Sequence, residues 1–111
     1  MDRKQIEEEI QKITQQLIKK YKPEKIILFG SAAKGKFDPD SDLDFLIVKR
    51  NVPYFGIERM REVRRLIKTN LPCDFLVAKP EEMEERLSLG DPFVNQIISE
   101  GKVLYGRYKN R

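Results

Sequence analysis

The 111-residue chain contains no histidine. That absence removes zinc sites built on imidazole, Ser-His-Asp hydrolases and histidine general bases, so any catalysis has to run on carboxylates, lysine and serine. Cysteine occurs once, at Cys73. A lone thiol excludes an internal disulfide, and its apolar neighbours mark it as a buried structural group in a reducing compartment. No apolar run reaches the length of a membrane span, and the N-terminus is charged and amphipathic without a signal-peptide core. These absences predict a cytoplasmic protein without a membrane partner. Charge, by contrast, is plentiful: Asp, Glu, Lys and Arg make up 36% of the residues, with a net charge of +4. That balance suits an anionic ligand but supports nucleic-acid binding only weakly. The length predicts one domain over residues 1–111, with a basic tail at 107–111.

The chemistry concentrates in residues 26–48. An apolar run over 26–29 stops at Gly30 and Ser31, a second glycine follows at Gly35, and a second apolar run begins at Leu43. That is the pattern of strand, tight turn, strand. Asp42 and Asp44 alternate with Leu43 and Phe45, so on a strand both acids share a face, about 6–7 Å apart along the backbone. Like charges so close repel each other unless a cation lies between them, and Mg²⁺ favours carboxylates together with phosphates. Glycine at position 30 lets a ligand approach the backbone, and Ser31 at the start of a short helix offers a hydroxyl and N–H groups to a phosphate. A calcium loop counted from Asp38 fails, because its sixth residue is Leu43 where glycine is needed and its twelfth is Lys49 where glutamate is needed. Residues 38–41, Asp-Pro-Asp-Ser, read as a turn.

Gly30-Ser31-Ala32-Ala33-Lys34-Gly35 followed by Ser41-Asp42-Leu43-Asp44 resembles the signature of the DNA polymerase β-like nucleotidyltransferase superfamily, and the short chain resembles its minimal nucleotidyltransferase (MNT) branch. Lys34 departs from the arginine commonest there; it keeps the charge without the bidentate fork.

The rest of the chain reads in order as follows. Ile6, Ile10, Ile13 and Leu17 recur at helical spacing over residues 2–21, which Pro23 ends. Residues 25–29 form the first strand. Ile57, Met60, Val63 and Ile67 mark the apolar face of a helix over 54–69, with Arg59, Arg61, Arg64, Arg65 and Lys68 on its solvent side. Residues 71–78 read as a strand, 80–87 as a short acidic helix opened by Pro80, and Asp91-Pro92 as the cap of a last helix that Gly101 ends. Residues 102–105 read as an edge strand.

The resemblance covers nearly the whole chain and implies a mixed α/β fold, with a sheet of about four strands flanked by helices and the first two strands antiparallel. It implies Mg²⁺ as cofactor and ATP as substrate. Asp42 and Asp44 would hold the metal, Gly30, Ser31 and Lys34 the phosphates, and Asp74 would be a third acid that completes the metal site or takes the acceptor's proton. It also implies transfer of AMP to a protein hydroxyl, that of a tyrosine, and an antitoxin role toward a HEPN (higher eukaryotes and prokaryotes nucleotide-binding) ribonuclease toxin. The alternatives are a toxin-binding module that acts by occlusion and nucleotidylation of a small molecule; relatives that do the latter carry an extra helical domain for the acceptor.

Overall fold

Alternate residues along the strands carry two apolar sets, and the fold covers each set with helices. The computed structural model describes residues 1–38 and 40–106; the tail expected at 107–111 lies outside them. The elements run α1 (Arg3–Gln16), β1 (Lys25–Phe29), β2 (Leu43–Val48), α2 (Gly56–Leu66), β3 (Cys73–Ala78), α3 (Pro80–Ser88), α4 (Pro92–Glu100) and β4 (Lys102–Gly106). The strands form one sheet in the order β3-β2-β1-β4. Strand β1 pairs antiparallel with β2 and β4, whereas β2 and β3 run parallel, so the sheet is mixed, as the sequence led us to expect.

Ile26, Leu28, Phe45, Ile47 and Phe75 form one core with Ile13 and Leu17 of the first helical segment and Val63 of α2. Ile27, Leu46 and Val48 point the other way and meet Met83 of α3 and Val94 and Ile97 of α4. Each such burial stabilises by roughly 1.5–3 kcal/mol. Helix α1 starts at a capping box, in which the Asp2 carboxylate accepts from the Gln5 N–H while the Gln5 side chain accepts from the Asp2 N–H. Its expected last turn, Leu17–Tyr21, widens into a π turn and ends at Lys22, whose φ is +57°. Lys49 anchors that end by donating to the Tyr21 carbonyl with its ammonium 4.5 Å from the ring centroid. Asp91 caps α4 by accepting from the Phe93 and Val94 N–H groups.

Helix α2 departs from the sequence reading. It occupies Gly56–Leu66, because Phe55 and Ile67 are extended. Ile57, expected on the buried face, is 55% exposed, whereas Arg59, expected in solvent, is only 5% exposed. The reason is the free edge of β3. The Arg59 guanidinium donates to the Val77 carbonyl at 3.0 Å, to the carbonyls of Pro53 and Tyr54, and to Glu82 at 2.8 Å. Arg64, one turn further on, donates to the Cys73 carbonyl at 2.9 Å. Two arginines of α2 thus occupy edge carbonyls that no strand pairs, which satisfies them and blocks strand addition there. Strand β3 starts at Cys73, two residues later than expected, since Pro72 has no N–H for a ladder and uses only its carbonyl, which accepts from Leu43.

Among the described residues, no helix is long and apolar enough to cross a membrane.

Candidate active site

Strand β2 begins one residue after Asp42, so Asp42 stands on the approach to the strand and Asp44 within it. Parallel pairing sets Asp44 beside Asp74, residue for residue. Both acids therefore share one face of the sheet, the face that Leu46 and Leu76 continue. On the other side of Asp44, antiparallel pairing brings up Phe29, the last residue of β1. The chain then turns at Gly30, with φ +77° and ψ −160°. A Cβ built on Gly30 would lie 2.4 Å from Oδ2 of Asp44. Glycine at this position thus does two jobs: it adopts the turn and leaves room for the carboxylate.

The charges in this cluster act on one another. Burial pushes the Asp44 carboxyl above its ordinary value, and the nearby charges of Asp74 and then Asp42 push it further. A bound cation would relieve that repulsion. Among the described residues, no three acids close into a ready-made metal cage. Mg²⁺ takes one or two carboxylates and fills its other positions with water and substrate phosphates, so an open acid pair beside a phosphate-sized turn fits that ion. Asp42, Asp44 and Asp74 are the residues fit to hold it.

Ser31 opens a single 3₁₀ turn, Ser31–Lys34, closed at Gly35 with φ +79°. The carbonyls of Ala32 and Ser31 accept from the Gly35 and Lys36 N–H groups. Ser31 and Asp42 line one cavity of about 180 Å³, whose apolar walls include Ile6, Phe37 and Leu71. Lys34 lies apart from them, in a half-exposed ion pair with Glu100 of α4 at 2.9 Å. Such pairs are worth little, so a phosphate can compete for the ammonium.

Sequence reasoning missed Arg64. Nη2 lies 3.7 Å from Oδ1 of Asp74, too long for a hydrogen bond but close enough for the charge to be felt. Helical spacing gives no hint of this contact, which arises because α2 packs along the start of β3. Cys73, next to Asp74, is inert: burial above all pushes its thiol up to about 12.

Residues 11–110 match the family model described as polymerase beta, nucleotidyltransferase. The chain belongs to that family. A protein of Methanocaldococcus jannaschii provisionally named protein adenylyltransferase is 32% identical over 81 residues, which cover 73% of this chain and 77% of the relative. A second protein of that organism with the same provisional name is 34% identical over 61 residues, 55% of this chain and 61% of the relative. A third spans further along this chain, 74%, at 28% identity and 58% of its own length. The chain thus spans about three fifths of two of these relatives.

The nucleotidyltransferase fold is equally plain in solved structures. A provisionally named nucleotidyltransferase from Sulfolobus solfataricus superposes with a TM-score of 0.65 at 21% identity, over 97% of this chain and 86% of the other. Spectinomycin adenyltransferase from Enterococcus faecialis, solved with ATP and spectinomycin, gives 0.61 at 22% identity, over 92% of this chain and 56% of the other. A toxin-antitoxin structure with AMP-PNP also gives 0.61, at 21% identity, over 87% and 73%.

For a nucleotidyltransferase built this way, Gly30→Ala is a sharp probe. The new methyl must displace the Asp44 carboxylate, and an L-residue at φ +77° and ψ −160°, a region nearly exclusive to glycine, costs about 1–3 kcal/mol. Nucleotidyl transfer should fall by about a hundredfold, because a misplacement of 1 Å at a reacting centre has that effect. Steady-state rates and thermal melts of the variant read the two effects separately, and wild-type activity in Gly30→Ala would remove the close approach from the account.

Proposed function

We propose that the protein is a Mg²⁺-dependent adenylyltransferase that moves AMP from ATP to a hydroxyl, that of a tyrosine, on a partner protein. The partner is a HEPN-type ribonuclease toxin, silenced by the transfer, which makes the chain an antitoxin acting in the cytoplasm. The observation that carries the reading is the register pair Asp44 and Asp74 beside the side-chain-free turn at Gly30. The names of the relatives, protein adenylyltransferase, and the toxin-antitoxin neighbour support a protein acceptor.

In this reading the Gly30-Ser31 turn receives the phosphates of ATP, and Lys34 leaves Glu100 to neutralise them. The acceptor oxygen attacks the α-phosphorus, a new P–O bond forms, the bond to the bridging oxygen of the β-phosphate breaks, and pyrophosphate leaves. Asp74, exposed on the same face as Asp44, takes the acceptor's proton or completes the metal site. Asp42 and Asp44 would hold the Mg²⁺, which when bound would neutralise charge on the phosphates.

The test uses ATP labelled at the α-phosphate in one reaction and at the γ-phosphate in another, each with Mg²⁺ and a lysate of the host cell. The reading predicts that one protein band takes α-label only. Label from the γ-phosphate beyond that in lysate alone would make the chain a kinase, and absence of α-label in protein beyond that in lysate alone would remove the protein acceptor.

A further inference from the structure

The face of the sheet that bears Asp44 and Asp74 continues past them. Leu46 and Leu76 lie two residues along β2 and β3, about 6–7 Å from the acids by strand rise, and they form the floor of a groove of about 1050 Å³. The first turn of α2 makes one wall, and α3 and α4 make the other. The deep side is core, where Met83, Val94 and Ile97 pack on Leu46. The rim is not: Ile57 is 55% exposed on one wall, Leu89 76% on the other, and Tyr54 83% at the end. Large apolar side chains left together at a surface mark a place where a macromolecule lies down.

The charges of the groove select its occupant. Arg59 pairs with Glu82 at 2.8 Å, and Arg86 pairs with Asp91 at 3.4 Å. Among the described residues, Glu85 is then the lining charge outside an ion pair. A surface that is apolar, has its arginines in ion pairs and carries one surplus negative charge offers no free cation to a triphosphate or a nucleic-acid backbone and suits polypeptide. Its volume also stands at the upper end of clefts for small ligands, which run from about 300 to 1,000 Å³.

We infer that this groove docks the protein that receives AMP. An apolar segment of the acceptor lies on the exposed Leu76 between Ile57 and Leu89, with a basic residue facing Glu85, so that its hydroxyl stands over Asp44 and Asp74. The inference rests on the proposed transfer reaction and adds where the acceptor is held.

Ile57→Glu with Leu89→Glu tests it in the full chain, since both positions are exposed and neither belongs to the acid and phosphate-turn residues of the site. With α-labelled ATP, Mg²⁺ and host lysate, the double variant should lose at least about tenfold of the label in the acceptor band, as charges placed in a hydrophobic contact do. The loss should lie in the KM for acceptor and shrink as lysate concentration rises, while calorimetry finds the affinity for Mg²⁺-ATP unchanged. In parallel, a photo-crosslinking side chain in place of Leu89 should join the chain to the same band that takes the label. Undiminished labelling by the double variant overturns the groove and leaves the transfer reaction standing. A crosslink only to a second copy of this chain overturns the acceptor as occupant in favour of a homodimer. Absence of any labelled band with the unaltered protein overturns the transfer reaction and the docking inference together.

Discussion

Replacing Asp44 with asparagine should lower AMP transfer by about a thousandfold and leave the metal-free protein as stable as before, or more so. The two effects have one cause. Burial first, and then the charges of Asp74 and Asp42, raise the Asp44 carboxyl above its ordinary value. Asparagine keeps the shape and removes the repulsion, so the fold gains. Charge stabilisation by a bound metal is worth several kcal/mol in a phosphoryl or nucleotidyl transition state, and about 4 kcal/mol corresponds to that thousandfold. Added Mg²⁺ should raise the melting temperature of the unaltered protein and not that of the Asp42→Asn, Asp44→Asn double variant, which checks metal binding without any assay of activity. A variant that lost stability and kept its rate would reverse the account of this residue.

Arg59→Ala should be the most damaging change among the charged side chains of the described residues, since Arg59 is the buried one. The guanidinium is almost wholly buried and holds Glu82 together with the carbonyls of Pro53, Tyr54 and Val77. Removing the shared donor of such a network costs about 1–3 kcal/mol, because water reaches the partly exposed Glu82 and takes up part of the loss. For a domain of this size that is a fall in melting temperature of roughly 5–15 °C. The same contact carries a pH signature. The Arg59 hydrogen bond, above all, holds the Glu82 carboxyl down from 4.5 to about 2. A depressed folded-state value gives stability that is complete above the unfolded-state value near 4.5 and is lost as pH falls toward 2. Because the Glu82 side chain is 40% exposed, solvent screens part of that contribution. Melts of the protein and of Glu82→Gln from pH 7 down to pH 2 should therefore converge at the acid end. Equal separation at every pH would assign the stability to packing alone.

What could be read from the chain and what could not divides along a physical line. Contacts between near neighbours in sequence left periodic or compositional marks. The stop at Gly30, the alternation around Asp44, the cap at Asp91 and the antiparallel return of β2 on β1 were all legible for that reason. Contacts made across the fold left none. That Asp74 stands level with Asp44 depends on the register of a parallel pair joined through α2, and no local pattern encodes a crossover's register. Arg59 read as solvated because charge on a helix is usually solvated, yet a free sheet edge offered it carbonyls that repay burial. Ile57 read as core because it fits the helical period, but α2 starts late and turns that residue toward the groove. The pairing of Lys34 with Glu100 joins residues 66 positions apart in the sequence, and neither position signals the other.

The measurement that tests the central claim most directly is the intact mass of the acceptor after incubation with this protein, unlabelled ATP and Mg²⁺, alongside the pyrophosphate released. The account predicts a gain of whole AMP units, one pyrophosphate released per unit, and neither signal from the Asp42→Asn, Asp44→Asn double variant. A gain of phosphate in place of AMP, or AMP added equally well by the double variant, would contradict it.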